Sequence, residues 1–339
     1  MGNPLVTIII PVYNTEKWLE DCLDSVLKQD YPDLEISCVN DGATDHSPRI
    51  LAEYAERDQR IRVLNQENHG PGFSRNHAIN TATGKYFLCL DSDDMLEAGF
   101  IKKLVKKAEE DSLDMLCYDS APFSEKNTLQ NNSSQQEKHH EFDYPGIWDG
   151  RELFAKMQQQ DDYFGAACFA LYRTEWINEN RIRFLENCLH EDEFFIFCCF
   201  LKGKRIGYLS EQGYLRRFRE GSTMTTLKTS AHITGIYHSA NLMFIECFQN
   251  RERLTDYPEF YDYALHMKHA ASYFYRQNEE SLLLQPLDGY ERMMYADLEN
   301  YGSRDELEAI YNSNSWKIGQ AVVNPLNSAK NRLKRLKNH

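Results

Sequence analysis

The sequence of 339 residues predicts an α/β fold, Rossmann-like, with a mostly parallel sheet flanked by helices. Three observations carry that expectation. Strand-like and helix-like segments alternate four times before residue 111. The first strand-like run is Val and Ile with one Thr before a Pro, as in a strand buried on both faces. Several of these runs end in Asn, Asp or Gly, at the carboxyl ends where ligands of open α/β sheets bind.

In chain order, Leu5 to Val12 reads as a fully buried strand. Glu16 to Lys28 follows as a helix, because Trp18, Leu19, Cys22, Leu23, Val26 and Leu27 recur at three- and four-residue spacing. Glu35 to Val39 is a strand and Ser47 to Arg57 a helix, with Ile50, Leu51, Tyr54 and Ala55 on one face. Ile61 to Leu64 is the third strand, Gly72 to Asn80 the next helix, and Tyr86 to Leu90 the fourth strand. A helix from Phe100 to Glu110 and a strand from Leu113 to Tyr118 complete this part. Ser124 to Glu141 is polar and nearly devoid of apolar residues, so it predicts a mobile loop. Beyond Thr226 the aromatic residues fall at helical spacing. The expected organisation is therefore an α/β domain over 1–225 with a loop at 124–141, a small helical C-terminal domain over 226–312, and a basic amphipathic tail over 313–339.

The formal charge of −14 argues against a nucleic-acid binder, which needs surplus Lys and Arg to neutralise phosphates. From Ala309 onward there are six Lys or Arg and no Asp or Glu, so the first 308 residues carry −20. In the tail Leu326, Ala329, Leu333 and Leu336 form one stripe, with Lys330, Arg332, Lys334, Arg335 and Lys337 around it. A helix of that kind over 324–337 fits a peripheral contact with an anionic membrane or a frayed, solvated terminus. Nine cysteines without a CxxC pair suit buried free thiols in a reducing compartment. With no basic n-region at the start and no apolar run of membrane-spanning length, the expected location is cytoplasmic, or peripheral at the inner face of the cell membrane.

Five segments could carry chemistry. Asp91-Ser92-Asp93-Asp94 follows a strand directly, and carboxylates two residues apart can face one hard cation that neutralises a diphosphate. A solvated turn capping the next helix explains the same residues. Asn40-Asp41-Gly42 also ends a strand, where Asp41 can accept hydrogen bonds from a base or ribose, or merely form an Asp-Gly turn. In Gly70-Pro71-Gly72-Phe73-Ser74-Arg75-Asn76 the glycine pair and Arg75 suit an anion or nucleotide, although the third glycine of a dinucleotide fingerprint is missing. Glu191-Asp192-Glu193 precedes the most apolar run in the chain, and a carboxylate there fits either a general base or a helix N-terminus favoured by the dipole. Arg217 and Arg219 add a basic cluster that suits phosphate oxygens or a charged surface.

Together with the opening Val6-Thr7-Ile8-Ile9-Ile10-Pro11-Val12-Tyr13-Asn14, the order of these motifs resembles the family 2 inverting glycosyltransferases with the GT-A fold, over residues 4 to 225. Asn40 and Ala43 depart mildly from the family's pattern, where Asp and Ser are frequent. The resemblance implies a nucleotide site of Pro11, Tyr13, Asp41, Arg75, Asp91 and Ser92, with Tyr13 stacked on the base and Asp41 on its imide edge. It further implies Mn²⁺ or Mg²⁺ held by Asp93 and Asp91, donor or acceptor contacts by Asp94, Arg217 and Arg219, and Asp192 as general base supported by Glu191. The implied partners are a UDP-sugar donor and a glycan or lipid-linked acceptor; a homodimer is also envisaged. Transfer to a polyprenyl phosphate, or a non-catalytic nucleotide-sugar-binding subunit, are the alternatives.

Overall fold

The computed structural model describes residues 2–123, 140–163, 165–218 and 229–282, together with 294 and 297. Its elements run β1 (Val6–Val12), α1 (Leu19–Leu27), β2 (Leu34–Asp41), α2 (Ser47–Arg57), β3 (Ile61–Gln66), α3 (Gly70–Thr81), β4 (Tyr86–Cys89), β5 (Met95–Leu96) and α4 (Phe100–Glu110). They continue with β6 (Met115–Phe123), β7 (Ile147–Trp148), α5 (Gly150–Gln159), β8 (Ala170–Arg173), α6 (Thr174–Glu179), α7 (Glu191–Lys202), β9 (Ile206–Arg217), α8 (Ser230–Gln249) and α9 (Glu259–Leu282). The predicted Ser47–Arg57 and Phe100–Glu110 helices have those bounds. The first helix starts at Leu19 rather than Glu16. Glu16 is engaged elsewhere: its amide donates to Asp45 Oδ2 and its carboxylate accepts from the His46 amide.

Among the described residues nine strands form one sheet in the order β3-β2-β1-β4-β8-β6-β9-β5, with β7 beside β9. The strands β3, β2, β1 and β4 are parallel. Past β4 the pairings mix, β8 lying antiparallel between β4 and β6 while β9 runs parallel to β6. Strand β1 shows why its sequence is apolar but for Thr7. Ile8 and Ile10 join the cluster under α1, α2 and α4, whereas Ile9 joins the opposite cluster with α5, α7, α8 and α9. Neighbouring side chains on a strand point to opposite faces, so a strand covered on both sides is mostly apolar, and its one polar residue, Thr7, is buried with its hydroxyl donating to Glu35. Helices α8 and α9 share that second cluster through Ile233, Ile236, Phe260 and Phe274, so they continue the core laid down by α5 and α7. No helix of the described residues is long and apolar enough to cross a membrane.

Loops at the carboxyl ends of β1, β2 and β4 are bound to one another. Asn14 takes a left-handed backbone (φ 53°) and its Oδ1 accepts from the Thr44 amide. The Thr15 amide donates to Ser47 Oγ, and the Thr15 hydroxyl donates to Ser92 Oγ at 3.0 Å. The edge of the sheet that should hold a ligand is thus a single cross-linked rim.

Candidate active site

The acidic loop after β4 is shaped by β9. A tight turn closes from the Asp94 amide to the Asp91 carbonyl. Asp94 is buried, and its two carboxylate oxygens accept from the Tyr214 hydroxyl and the Arg217 amide, each at 2.7 Å. Burial, then repulsion from Asp91 and Asp93, pushes its carboxyl up to about 8 against those two donors. The Arg217 side chain donates through Nε to the Asp93 carbonyl and pairs with Asp21 at 3.0 Å, with Phe123 beneath its guanidinium. Asp94 and Arg217 thus anchor this loop, while Asp91 and Asp93 stay half-buried. Ser92 is buried against Thr15.

Helix α3 supplies the second part. Pro71 lies in its first turn, where the missing amide costs nothing. Asp41, 3% exposed, accepts from the His69 and Gly70 amides and from Gln66 Nε2, so its carboxylate holds the start of α3. Asn76 accepts from the Phe184 amide and donates to the Phe184 carbonyl and to Glu186. That clamp brings residues 184–186 against α3. The approach is close enough that a Cβ on Gly72 would lie 2.0 Å from the Leu185 carbonyl oxygen. Gly72→Ala should therefore cost about 1–3 kcal/mol by overpacking, visible as a lower melting temperature.

The third part is the first turn of α7. His190 enters it with a left-handed backbone, and Glu191, Asp192 and Glu193 all fall in the turn where the helix dipole favours anions. Glu191 is buried and pairs with Arg75, which also pairs with Asp91 at 2.8 Å. Arg75 itself is 7% exposed. Burial works against its charge, but Asp91 and Glu191 outweigh that and hold it protonated. Asp192 accepts from the Glu193 amide; burial, then Glu191 and Glu193, raise its carboxyl well above the usual carboxylate range. Burial likewise pushes Glu193 up to about 7, although the Tyr263 hydroxyl of α9 donates to it.

Asp91, Arg75, Glu191 and Asp192 are therefore brought together, with Asp93 two residues away. Pro11 is half-buried near the end of β1 and Tyr13 stands 49% exposed just beyond it, on the same rim. Arg219 lies outside the described residues. Sequence reasoning passed over Thr15, Asn76 and Tyr214. Asn76 adjoins Arg75 in a recognised motif, but nothing local marks Tyr214, whose partner is 120 residues away.

The acidic loop fits a divalent cation in a particular way. Among the described residues no three His, Cys, Asp or Glu side chains converge as a complete cage. Asp91 uses Oδ1 for Arg75, and its Oδ2 has no hydrogen-bond donor among the described residues. Mg²⁺ and its analogues are commonly held by one or two carboxylates plus substrate phosphates, and Asp91 with Asp93 can supply that share.

Comparison with known proteins shows the family and the fold. Residues 7–181 match the profile of glycosyl transferase family 2. The chain is 32% identical over 217 residues to glycosyltransferase GlyA of Streptococcus pneumoniae, covering 64% of this chain and 31% of that protein. It is 29% identical to the putative glycosyltransferase EpsH of Bacillus subtilis, covering 76% of this chain and 73% of that protein. The chain thus spans about a third of GlyA's length and nearly three quarters of EpsH's. A crystal structure of S. aureus TarS 1–349 in complex with UDP-GlcNAc superposes with a TM-score of 0.62 at 20% identity, over 94% of this chain and 90% of that one. The mannosyltransferase PcManGT from Pyrobaculum calidifontis, in complex with GDP-Man and Mn²⁺, gives 0.53 at 16% identity, over 95% and 87%. The layered sheet flanked by helices is the GT-A fold, and the chain belongs to glycosyl transferase family 2.

Proposed function

We propose that the chain is a metal-dependent inverting glycosyltransferase that moves a sugar from a UDP-sugar to a hydroxyl of a glycan or lipid-linked acceptor in bacterial surface-polysaccharide synthesis. The observation that carries this reading is the buried Arg75, ion-paired at once to Asp91 and to Glu191, which seats a cation-competent loop beside a carboxylate of raised pKa. The UDP donor is supported by TarS, whose structure holds UDP-GlcNAc, and the polysaccharide role by relatives such as the poly(ribitol-phosphate) β-glucosyltransferase of Bacillus spizizenii.

In this reading Tyr13 stacks on the base, Pro11 shapes its pocket, and Asp41 offers its remaining acceptor capacity to the imide edge. Asp91 and Asp93 would hold Mn²⁺ or Mg²⁺, which when bound would supply positive charge to stabilise the departing diphosphate. Ser92 fixes the loop that does so, and Asp94 keeps it in register. Arg217 steadies the loop from behind, while Arg219 reaches the diphosphate or acceptor. Asp192 removes the proton of the acceptor hydroxyl as that oxygen bonds to the sugar's C1 and the C1–phosphate oxygen bond breaks. Direct displacement by a single base inverts C1, so an α-linked donor gives a β-glycoside.

A screen of UDP-glucose, UDP-galactose and their N-acetyl forms with Mn²⁺, read as UDP release, tests the reading. Metal-dependent release from one of them is expected, and none from any would overturn it. The tail over 313–339 lies outside the described residues; its sequence supports peripheral contact with an anionic membrane, bringing the enzyme to a lipid-linked acceptor. The full chain should sediment with vesicles containing phosphatidylglycerol, whereas a chain ending at Ser315 should remain largely in the supernatant. Each basic residue near such a surface contributes about 1 kcal/mol, so the six of the tail suffice for a visible difference.

A further inference from the structure

We infer that Arg75 is a positioning residue that fixes the span between the Asp91 carboxylate and the Glu191-Asp192 turn, and is not a contact to the nucleotide. This rests on the proposed assignment of Asp91 to the diphosphate side and Asp192 to the acceptor side.

The guanidinium is committed to the protein. Its NH2 donates to Asp91 Oδ1 and its NH1 to Glu191 Oε1, groups that lie 16 and 116 residues away in the chain. One face lies over the Phe184 ring, 5.3 Å from its centroid, and Nε is buried without a hydrogen-bond partner among the described residues. The next residue, Asn76, grips Phe184 and Glu186, at the start of the segment that leads to Glu191. A single turn of α3 thus holds that segment at both ends. Asp192 is bonded to Glu191 along the backbone, so the path Asp91–Arg75–Glu191–Asp192 sets how far the base stands from the diphosphate. Only a planar fork with two separated donor groups makes such a bridge; an ammonium group acts as a point charge and cannot hold both carboxylates in this geometry. A misplacement of about 1 Å between reacting groups costs on the order of 10²-fold in rate.

The test compares Arg75→Lys, Glu191→Gln and the double variant, using the UDP-sugar that turns over fastest in the panel. The turnover number is referred to the fraction that binds UDP with Mn²⁺ by calorimetry, which removes losses from unfolded protein. Each single variant should lose about 10²-fold in kcat with donor KM within about threefold, the pattern of an interaction that matters at the transition state. The double variant should be no slower than the slower single, because both break one bridge. A rise of tenfold or more in donor KM with kcat retained in Arg75→Lys would make Arg75 a nucleotide contact and overturn the proposal. Losses that multiply in the double variant would also overturn it. Should Arg75→Lys not fold, Glu191→Gln decides alone, since an unchanged kcat there removes the bridge from catalysis. Failure of the base assignment is separately visible as an Asp192→Asn variant that still transfers sugar, whatever the two bridge variants do.

Discussion

Replacing Asp192 by Asn should lower sugar transfer by about 10²–10⁴-fold, the usual contribution of a positioned general base. Binding of UDP and Mn²⁺ should stay near wild type, because Asp192 lies in α7 and the cation-competent carboxylates lie after β4. An amide in that position fills the same space and still accepts a hydrogen bond from the Glu193 amide, but cannot take a proton. Near-wild-type turnover would assign the base elsewhere. The raised pKa of Asp192 adds a pH signature. Burial and its acidic neighbours keep its proton on to higher pH than an ordinary carboxyl, so transfer should rise with pH along a limb displaced upward from the usual carboxylate range. Stability should move the other way. The folded state binds the Asp192 proton more tightly than the unfolded chain, so stability falls as pH rises from the unfolded toward the folded pKa. Asp192→Asn should therefore melt higher than the wild type at neutral pH, with the gap closing in acid. A gap independent of pH would contradict the assigned charge.

Asp93→Ala is the second large effect. It should lower the affinity for UDP in the presence of Mn²⁺ by on the order of 10–100-fold or more, since even partners outside the ligand shell are worth about that much at a metal site. The fold should survive, because the Asp93 carbonyl that receives Arg217 Nε is backbone and persists in alanine. Calorimetry with and without Mn²⁺ reads this directly, and metal-dependent binding unchanged by the substitution would remove Asp93 from the cation site. Asp94→Ala should behave differently, lowering the melting temperature, because it leaves Tyr214 and the Arg217 amide without their acceptor. Losing one partner of a buried hydrogen bond costs about 1–3 kcal/mol.

The contrast between Asp93 and Asp94 shows where sequence reading stops. Both belong to one motif, and the resemblance gave both roles toward the donor. In the structure Asp94 is buried with both oxygens occupied, because Tyr214 and Arg217 of β9 reach it from more than 100 residues away. Asp41 was expected to face a base, and most of its hydrogen bonds hold the entry to α3. Arg217 was expected to contact the donor or the acceptor, and in the structure its side chain pins the acidic loop to α1 through Asp21.

What the sequence determined by itself was local or modular. The strand and helix alternation through Glu110 follows from apolar periodicity, and the motifs sit at strand ends and helix starts because turns and caps draw on few residue types. Those features gave the layered fold and the residues that face one rim. Only the tertiary structure decided which of those residues touch. It inserted β8 antiparallel between β4 and β6, delivered the Glu191 turn to Arg75, and buried Ser92 and Asp94 while leaving Asp91 and Asp93 half-buried. The physical reason is that backbone preference acts over a few residues, whereas a buried charge needs partners wherever the fold places them, and for Arg75 these lie 16 and 116 residues away.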